Sequence, residues 1–416
     1  MLNTSLHYLN DLLLCDQVPV PDIAAACGTP VYIYSLRRVL DNLQGIRSSF
    51  AALNPHIHYS VKANANQTIL RALVRAGAGM DAVSGGEIFR ALRAGARPET
   101  IVFAGVGKTP AELRYALEQG VGWFNVENVE ECRWLNDLAG QLGRSAVRVA
   151  LRLNPQVAAS THRHIATGHG GAKFGLTTEA ARFLLDSQAD YPHLRFEGIH
   201  VHIGSQLHEV QATAAAVRAA CELAAPYPGI RAINMGGGLP VGYHPSETLP
   251  DAAAFAAAVA PWLAGYQVLL EPGRSVVADA GLLVVTVLYV KRQAGQVFVV
   301  TDGSMAELLR PALYDAHHEL VPVRRPAAAP PLEAVQVVGP VCESADVLAR
   351  DCRLPPVQPG DLLAVLTAGA YGMVMASNYN QRPRPPEVVV TADGTSWSVT
   401  RRRETWDDLV RLEVED

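Results

Sequence analysis

Three groups of residues in this 416-residue chain have types and spacings that could do chemistry. Lys62 closes the segment IHYSVK (57–62). In so apolar a context a lysine can have its ammonium form destabilised enough to attack a carbonyl, although a solvent-facing lysine at a strand end is the competing reading. His200 and His202 lie two apart in EGIHVHIG (197–204), which on a strand sends both rings to one face. Such a pair could begin a metal site if a third ligand joined it, could set a ring against a flat cofactor, or could simply be packed. Gly236-Gly237-Gly238 and Glu271-Pro272-Gly273-Arg274 close two further apolar runs. Glycines let backbone N–H groups approach a phosphate and arginine adds charge. With Ser205 these residues make a candidate cradle, whereas a glycine triplet alone is also a tight turn.

Gly105-Val106-Gly107-Lys108-Thr109 imitates the end of a nucleotide-binding P-loop, but the leading glycine should stand at 102, where the chain has Val102. A strand end followed by a helix that Thr109 caps and Pro110 begins explains the segment better.

The elements that must position these groups show an alternating pattern. Short apolar runs at 57–62, 80–84, 101–105, 123–127, 147–154, 197–204, 232–237 and 268–273 are separated by helical stretches. TILRALVRAGA (68–78), GEIFRALRAGA (86–96) and PAELRYALEQG (110–120) have apolar residues at three and four and stop at glycine. Eight strands alternating with helices close most economically into a parallel (β/α)8 barrel, an open doubly wound sheet being the alternative. A barrel gathers catalytic groups at the C-terminal strand ends, where the loops after strands seven and eight often bind phosphate. Beyond about residue 275 the helical pattern fades, and VVADAGLLVVTVLYVKR, QVFVVTDG, EAVQVVGPV, DLLAVLTAG and PEVVVTADGTSWSVTRRR read as strands of a second, β-rich domain. RRPAAAPP (324–331) reads as an exposed loop within it. The expected division is an N-terminal segment 1–30 packing with the β domain, a barrel over 31–275 and a β-rich domain over 276–416.

Composition bounds the function. With 49% hydrophobic and 18% charged residues the chain has ample core. Forty acidic against 35 basic residues leave a net charge of −5, no field for a nucleic-acid partner. Six scattered cysteines form no CxxC pair, which points to a reducing cytoplasm. The first twenty residues lack lysine and arginine, so no secretion signal is expected. The most apolar stretches, 252–266 and 281–290, are shorter than the ~20 residues a bilayer needs, so no membrane partner is expected. The Asn3-Thr4-Ser5 sequon then reads as accidental.

HYSVKAN around Lys62, DAVSGGE (81–87), HVHIGSQ (200–206), GGG (236–238), EPGR (271–274), GPVCES (339–344) and AGAYG (368–372) stand in one order from about residue 25 to the C-terminus. Together they resemble the fold-type III pyridoxal-phosphate decarboxylases, the alanine-racemase-like barrel class. Three further segments are similar to the diaminopimelate decarboxylases within it: STHRHIATGHGGAKFG (160–175), RPALYDAHH (310–318) and SNYNQRPRPPEVVV (377–390). The tail RRRETWDDL (401–409) follows the family, while DGSMAELLRP (302–311) departs from it, since Asn or Asp is commoner before the Leu-Ile-Arg-Pro run.

The resemblance implies a pyridoxal 5'-phosphate cofactor attached to Lys62 and no metal. It implies that His202 stacks on the pyridine face and that Asp81, Ser205, Gly236, Gly237, Gly238, Gly273, Arg274 and Tyr371 line the cofactor site. It implies that Glu271 pairs with the pyridine nitrogen and keeps the ring an electron sink, and that Cys342 returns a proton to the substrate carbon. From the residues alone Cys342 reads instead as a buried cysteine near a strand end. Arg274, Arg310, Tyr314 and Tyr371 are implied to meet the substrate and its distal carboxylate, and Glu343 its distal ammonium. The implied assembly is a homodimer with shared active sites, decarboxylating meso-2,6-diaminopimelate to L-lysine. The weighed alternatives are a related decarboxylase of D-ornithine, D-lysine or a carrier-bound glutamyl group, and a noncatalytic homologue that binds protein partners.

Overall fold

The computed structural model describes residues 1–157, 173–328 and 330–414, and most of STHRHIATGHGGAKFG (160–175) lies outside them. The chain divides into two compact units. One comprises 42–241 and 248–275, the other 1–41, 242–247 and 276–416.

The first unit is a closed barrel of eight parallel strands: His56–Ser60, Gly79–Ala82, Ile101–Phe103, Trp123–Val126, Val147–Arg152, Leu194–His200, Ala232–Asn234 and Gln267–Leu270. Each pairs with its sequence neighbours, and the eighth closes on the first through Leu269 opposite His56 and Leu270 opposite Ile57. All eight expected segments are strands, which settles barrel against open sheet. Val102, Trp123, Ala150, Ala232 and Leu269 pack together as one apolar cluster. Gly198 makes room for the indole, because a Cβ there would stand 3.2 Å from Trp123 and 3.1 Å from Ala150.

The helices between strands begin and end where local chemistry dictates. Gln67–Arg75 starts on an Asn66 cap, Gly85–Arg93 on Ser84, and Pro110–Gln119 on Thr109, whose hydroxyl and Glu112 form a reciprocal capping box. Gly120 ends the last of these at φ 78°. The P-loop imitation resolves here: Lys108 is buried, its Nζ 2.5 Å from Glu131 Oε1, 2.6 Å from the Asn125 carbonyl and 2.8 Å from the Gly105 carbonyl. Its charge is spent inside the fold.

The second unit is built on one large sheet. Its main path runs Val347–Leu354, Glu333–Val338, Gln296–Thr301, Gly281–Gln293, Val31–Ser35, Glu387–Val390, Trp397–Arg401. Leu362–Val365 pairs with the long strand Gly281–Gln293 and with Leu320–Pro322. Val31–Ser35 is the strand that joins distant parts of the chain, antiparallel to Gly281–Gln293 and parallel to Glu387–Val390. Residues 31–41 therefore group with this unit, about ten residues beyond the expected start of the barrel. Val31 and Ile33, Leu282 and Val284, Ala364 and Leu366, and Val388 and Val390 alternate along their strands into one core. Leu6, Leu13, Val20 and Ile23 of the N-terminal segment complete that core. Residues 276–280, read as strand, are helical turns. No helix among the described residues is long and apolar enough to cross a membrane.

Candidate active site

The strands of the barrel unit stop earlier than their apolar runs suggest, so the chemically active residues fall at their C-terminal ends or in the loops just beyond. Lys62 sits in a 3-10 turn, Val61–Ala63, directly after the first strand. Its side chain is 40% exposed, and Nζ lies 3.7 Å from Oδ2 of the buried Asp81. Ser60 Oγ is 2.6 Å from that same oxygen and 3.0 Å from the Glu271 carbonyl, tying strands one, two and eight together. Burial and the nearby Glu271 raise the Asp81 carboxyl to about 6, with Lys62 and Ser60 opposing them.

Glu271 follows the eighth strand and is 6% exposed. Its Oε1 accepts hydrogen bonds from Asn234 Nδ2 at 2.6 Å and Asn125 Nδ2 at 3.0 Å. Oε2 lies 3.2 Å from His200 Nε2, an electrostatic contact outside hydrogen-bond geometry. Burial alone would raise this carboxyl, but His200, Asn234 and Lys62 outweigh it and hold it far below the usual carboxylate range. Glu271 is thus a buried, ionised carboxylate.

The glycine triplet is a cradle that side chains would fill. A Cβ on Gly237 would stand 2.4 Å from the Glu271 carbonyl oxygen, and one on Gly238 2.8 Å from that of Gly204. Gly236 and Gly238 have φ values of 68° and 101°, open chiefly to glycine. The Gly237 N–H donates to His202 Nδ1 at 3.2 Å. Burial, then Arg152 and Lys62, push His202 well below the ordinary histidine range, so its ring is neutral and carries its proton on Nε2. The buried Arg274 reaches Ser205 Oγ through Nη2 at 3.0 Å and Nε at 3.2 Å. A Cβ on Gly273 would stand 3.0 Å from Ser60 Cβ and Ala63 Cβ.

Among the sequence-read residues, Lys62, Asp81, His202, Ser205, Gly236, Gly237, Gly238, Glu271, Gly273 and Arg274 therefore converge within the barrel unit. Asn125, Asn234 and Ser60 were not singled out from sequence, because a lone polar residue at the end of an apolar run is indistinguishable from turn chemistry. A second missed pair is Arg152 with Glu127, both buried, 2.5 Å apart, with the guanidinium 4.8 Å from the Phe174 ring centre.

The remaining residues belong to the β-rich unit. Arg310 is buried, and Tyr314 ends the same short helix, Arg310–Tyr314. Cys342 is exposed, correcting its reading as a buried cysteine: strand Glu333–Val338 ends four residues earlier and the chain turns outward. The Cys342 N–H donates to Asn380 Oδ1 at 3.1 Å and the Tyr379 hydroxyl donates to Glu343, so the SNYN motif seats the Cys-Glu loop. From inside, Asp346 accepts from the Met305 and Val341 N–H groups at 2.7 Å each. Tyr371 has φ 55°, a left-handed backbone fixed between Gly369, which has no room for a Cβ beside the Val277 carbonyl, and Gly372 against the Tyr32 hydroxyl. In the divergent DGSMAELLRP segment, Glu307 is engaged in its own turn, accepting from the Ser304 N–H and hydroxyl at 2.7 and 2.6 Å.

A barrel of this type with a lysine, a glycine cradle and an ionised glutamate on consecutive strand ends defines a class of cofactor-dependent enzymes. The family described as "Pyridoxal-dependent decarboxylase, pyridoxal binding domain" matches residues 36–278, and the chain belongs to it. Its cofactor is pyridoxal phosphate, and the donor set fits that group: an amine, an anion for a ring nitrogen, and a glycine and arginine cradle for a phosphate. The chain is 41% identical over 412 residues to the diaminopimelate decarboxylase of Neisseria meningitidis serogroup B, covering 97% of each. It is 42% identical over 408 residues to that of Pseudomonas aeruginosa, again covering 97% of each. It also matches the structure of Helicobacter pylori diaminopimelate decarboxylase complexed with L-lysine, with a TM-score of 0.89 at 34% identity over 94% of this chain and 98% of that one.

Proposed function

We propose that the chain decarboxylates meso-2,6-diaminopimelate to L-lysine and carbon dioxide, the last step of lysine biosynthesis. The observation that carries this reading is the buried Glu271 carboxylate, held by Asn125 and Asn234 beyond the eighth strand, in a chain similar over 97% of its length to a diaminopimelate decarboxylase. Bound pyridoxal phosphate supplies a sink for the electron pair left on the substrate carbon when carbon dioxide departs.

The residues divide the remaining work. Lys62 would hold the cofactor through its amine. Glu271, kept aimed by its asparagine partners, would hold a proton at the ring nitrogen, and neutral His202 would lie against the cofactor. Gly236, Gly237, Gly238, Gly273, Arg274, Ser205 and Tyr371 hold the phosphate, with Asp81 orienting Lys62. Arg310, Tyr314 and Arg274 grip the distal carboxylate, Tyr371 also meets the substrate, Glu343 takes the distal ammonium, and Cys342 delivers the proton that replaces the lost carboxylate. The exposure of Cys342 supports that role, since a donor must reach substrate.

The working form is a homodimer with shared active sites in the cytoplasm, with no nucleic-acid, membrane or metal partner. The net charge of −5 and unpaired, scattered cysteines support this placement. Stripping the cofactor, then restoring pyridoxal phosphate, tests the reading: lysine formation from meso-diaminopimelate should vanish and return with it. Lysine formation that persists in the stripped protein would contradict it.

A further inference from the structure

Within the β-rich unit, His318 Nδ1 lies 2.9 Å from the Leu366 carbonyl oxygen and Nε2 lies 2.7 Å from Arg310 Nη1. A carbonyl only accepts and a guanidinium only donates, so one species satisfies both contacts: a neutral ring protonated at Nδ1 with a bare Nε2. The surroundings favour that species, because burial and then Arg310 hold His318 well below the ordinary histidine range. Both side chains are buried, and Tyr243 braces them, its ring centre 4.5 Å from the Arg310 guanidinium and 5.3 Å from the His318 ring, edge-on. A carboxylate in place of His318 would orient the arginine but also offset its charge. A neutral imidazole orients it without supplying a countercharge.

We propose that His318 is a positioning residue for substrate recognition: accepting from Arg310 while donating to Leu366, it fixes the plane of the guanidinium that reads the distal carboxylate of a diamino dicarboxylic acid. This rests on the substrate role given to Arg310 above. The sequence signal is the spacing of Arg310 and His318 in RPALYDAHH, where a short helix followed by a turn returns the chain to the arginine.

Two substitutions separate positioning from mere packing. His318→Asn keeps a donor toward Leu366 and loses the acceptor toward Arg310, whereas His318→Gln places an amide oxygen within reach of Arg310. His318→Asn should raise KM for meso-diaminopimelate and weaken inhibition by L-lysine by about tenfold or more, the scale of a lost charge-assisted hydrogen bond. Its kcat and bound-cofactor absorbance should stay near wild type. Inhibition by 1,5-diaminopentane, which lacks the carboxylate, should not change, and His318→Gln should recover most of the loss in KM. Equal weakening toward lysine and the diamine, an unchanged KM, or a Gln variant no better than Asn at equal thermal stability would overturn the proposal. Nitrogen-15 NMR of the wild-type imidazole gives a check independent of the variants and of turnover: one protonated and one bare nitrogen at pH 7 are expected. A doubly protonated ring, or the proton on Nε2, would overturn the assignment. If the wild type fails to decarboxylate diaminopimelate, the functional reading falls, while the NMR spectrum and the lysine-against-diamine comparison still judge His318.

Discussion

Lys62 and Glu271 show how much a residue's neighbours decide. A lysine at a strand end is ordinary in sequence, and only its place 3.7 Å from a buried aspartate, in a barrel that also buries an ionised glutamate, gives it a chemical setting. Lys62→Ala should abolish turnover and the visible absorbance of bound cofactor while leaving the melting temperature near wild type, since the side chain is 40% exposed and fills no core volume. Borohydride reduction of the wild type should leave the pyridoxyl label on Lys62 by peptide mapping, and a label on another lysine would move the site. Arg310→Ala or Glu343→Gln should raise KM for diaminopimelate about ten- to a hundredfold with little effect on cofactor affinity, measured by steady-state kinetics and cofactor titration. The motif residues were legible in sequence because glycine triplets and EPGR runs are rare. Asn125 and Asn234 were not, because their meaning comes from meeting one carboxylate that lies 146 and 37 residues further along the chain. The exposure of Cys342 was equally hidden, since a loop that turns outward has no periodic signature.

At the scale of elements, the eight barrel strands could be read from short apolar runs and capped helices because each pairs with its neighbours in sequence. The β-rich unit was legible only in part: Val31–Ser35 joins partners some 250 and 350 residues away, and nothing local announces such pairing. The strand ends carry their own prediction. Gly237→Ala should lower both melting temperature and cofactor affinity, with a stability loss of about 1–3 kcal/mol, because its Cβ meets the Glu271 carbonyl at 2.4 Å. Gly107→Ala, with nothing within 4 Å, should leave cofactor affinity unchanged. Helix Gly85–Arg93 supplies a test by pH. Burial raises Glu87 to about 7, although it accepts the Val83 N–H at 2.8 Å. The folded state therefore holds the Glu87 proton more tightly than the unfolded chain, so this contribution is full below the unfolded value of 4.5 and is lost as pH rises through 7. Glu87→Gln, which keeps the acceptor without the charge, should gain melting temperature relative to wild type as pH rises from about 5 to 8. A difference that shrinks over that range would refute the assignment.

For the whole molecule, the proposed dimer decides which subunit lends Lys62 and which lends Cys342. Mixing Lys62→Ala and Cys342→Ala proteins under conditions of subunit exchange should restore at most about a quarter of wild-type activity. Half the dimers are then mixed, and each has one good site of two. Demonstrated exchange with no recovered activity would mean that Cys342 serves its own subunit or is not the proton donor. The central claim, that this chain cleaves one end of a molecule with two amino-acid ends, is tested most directly by release of carbon dioxide from meso-diaminopimelate beside ornithine, lysine and arginine at equal concentration. Carbon dioxide should come from diaminopimelate with equimolar lysine, and none above background from the other three. Comparable or faster release from any of those three would contradict the claim.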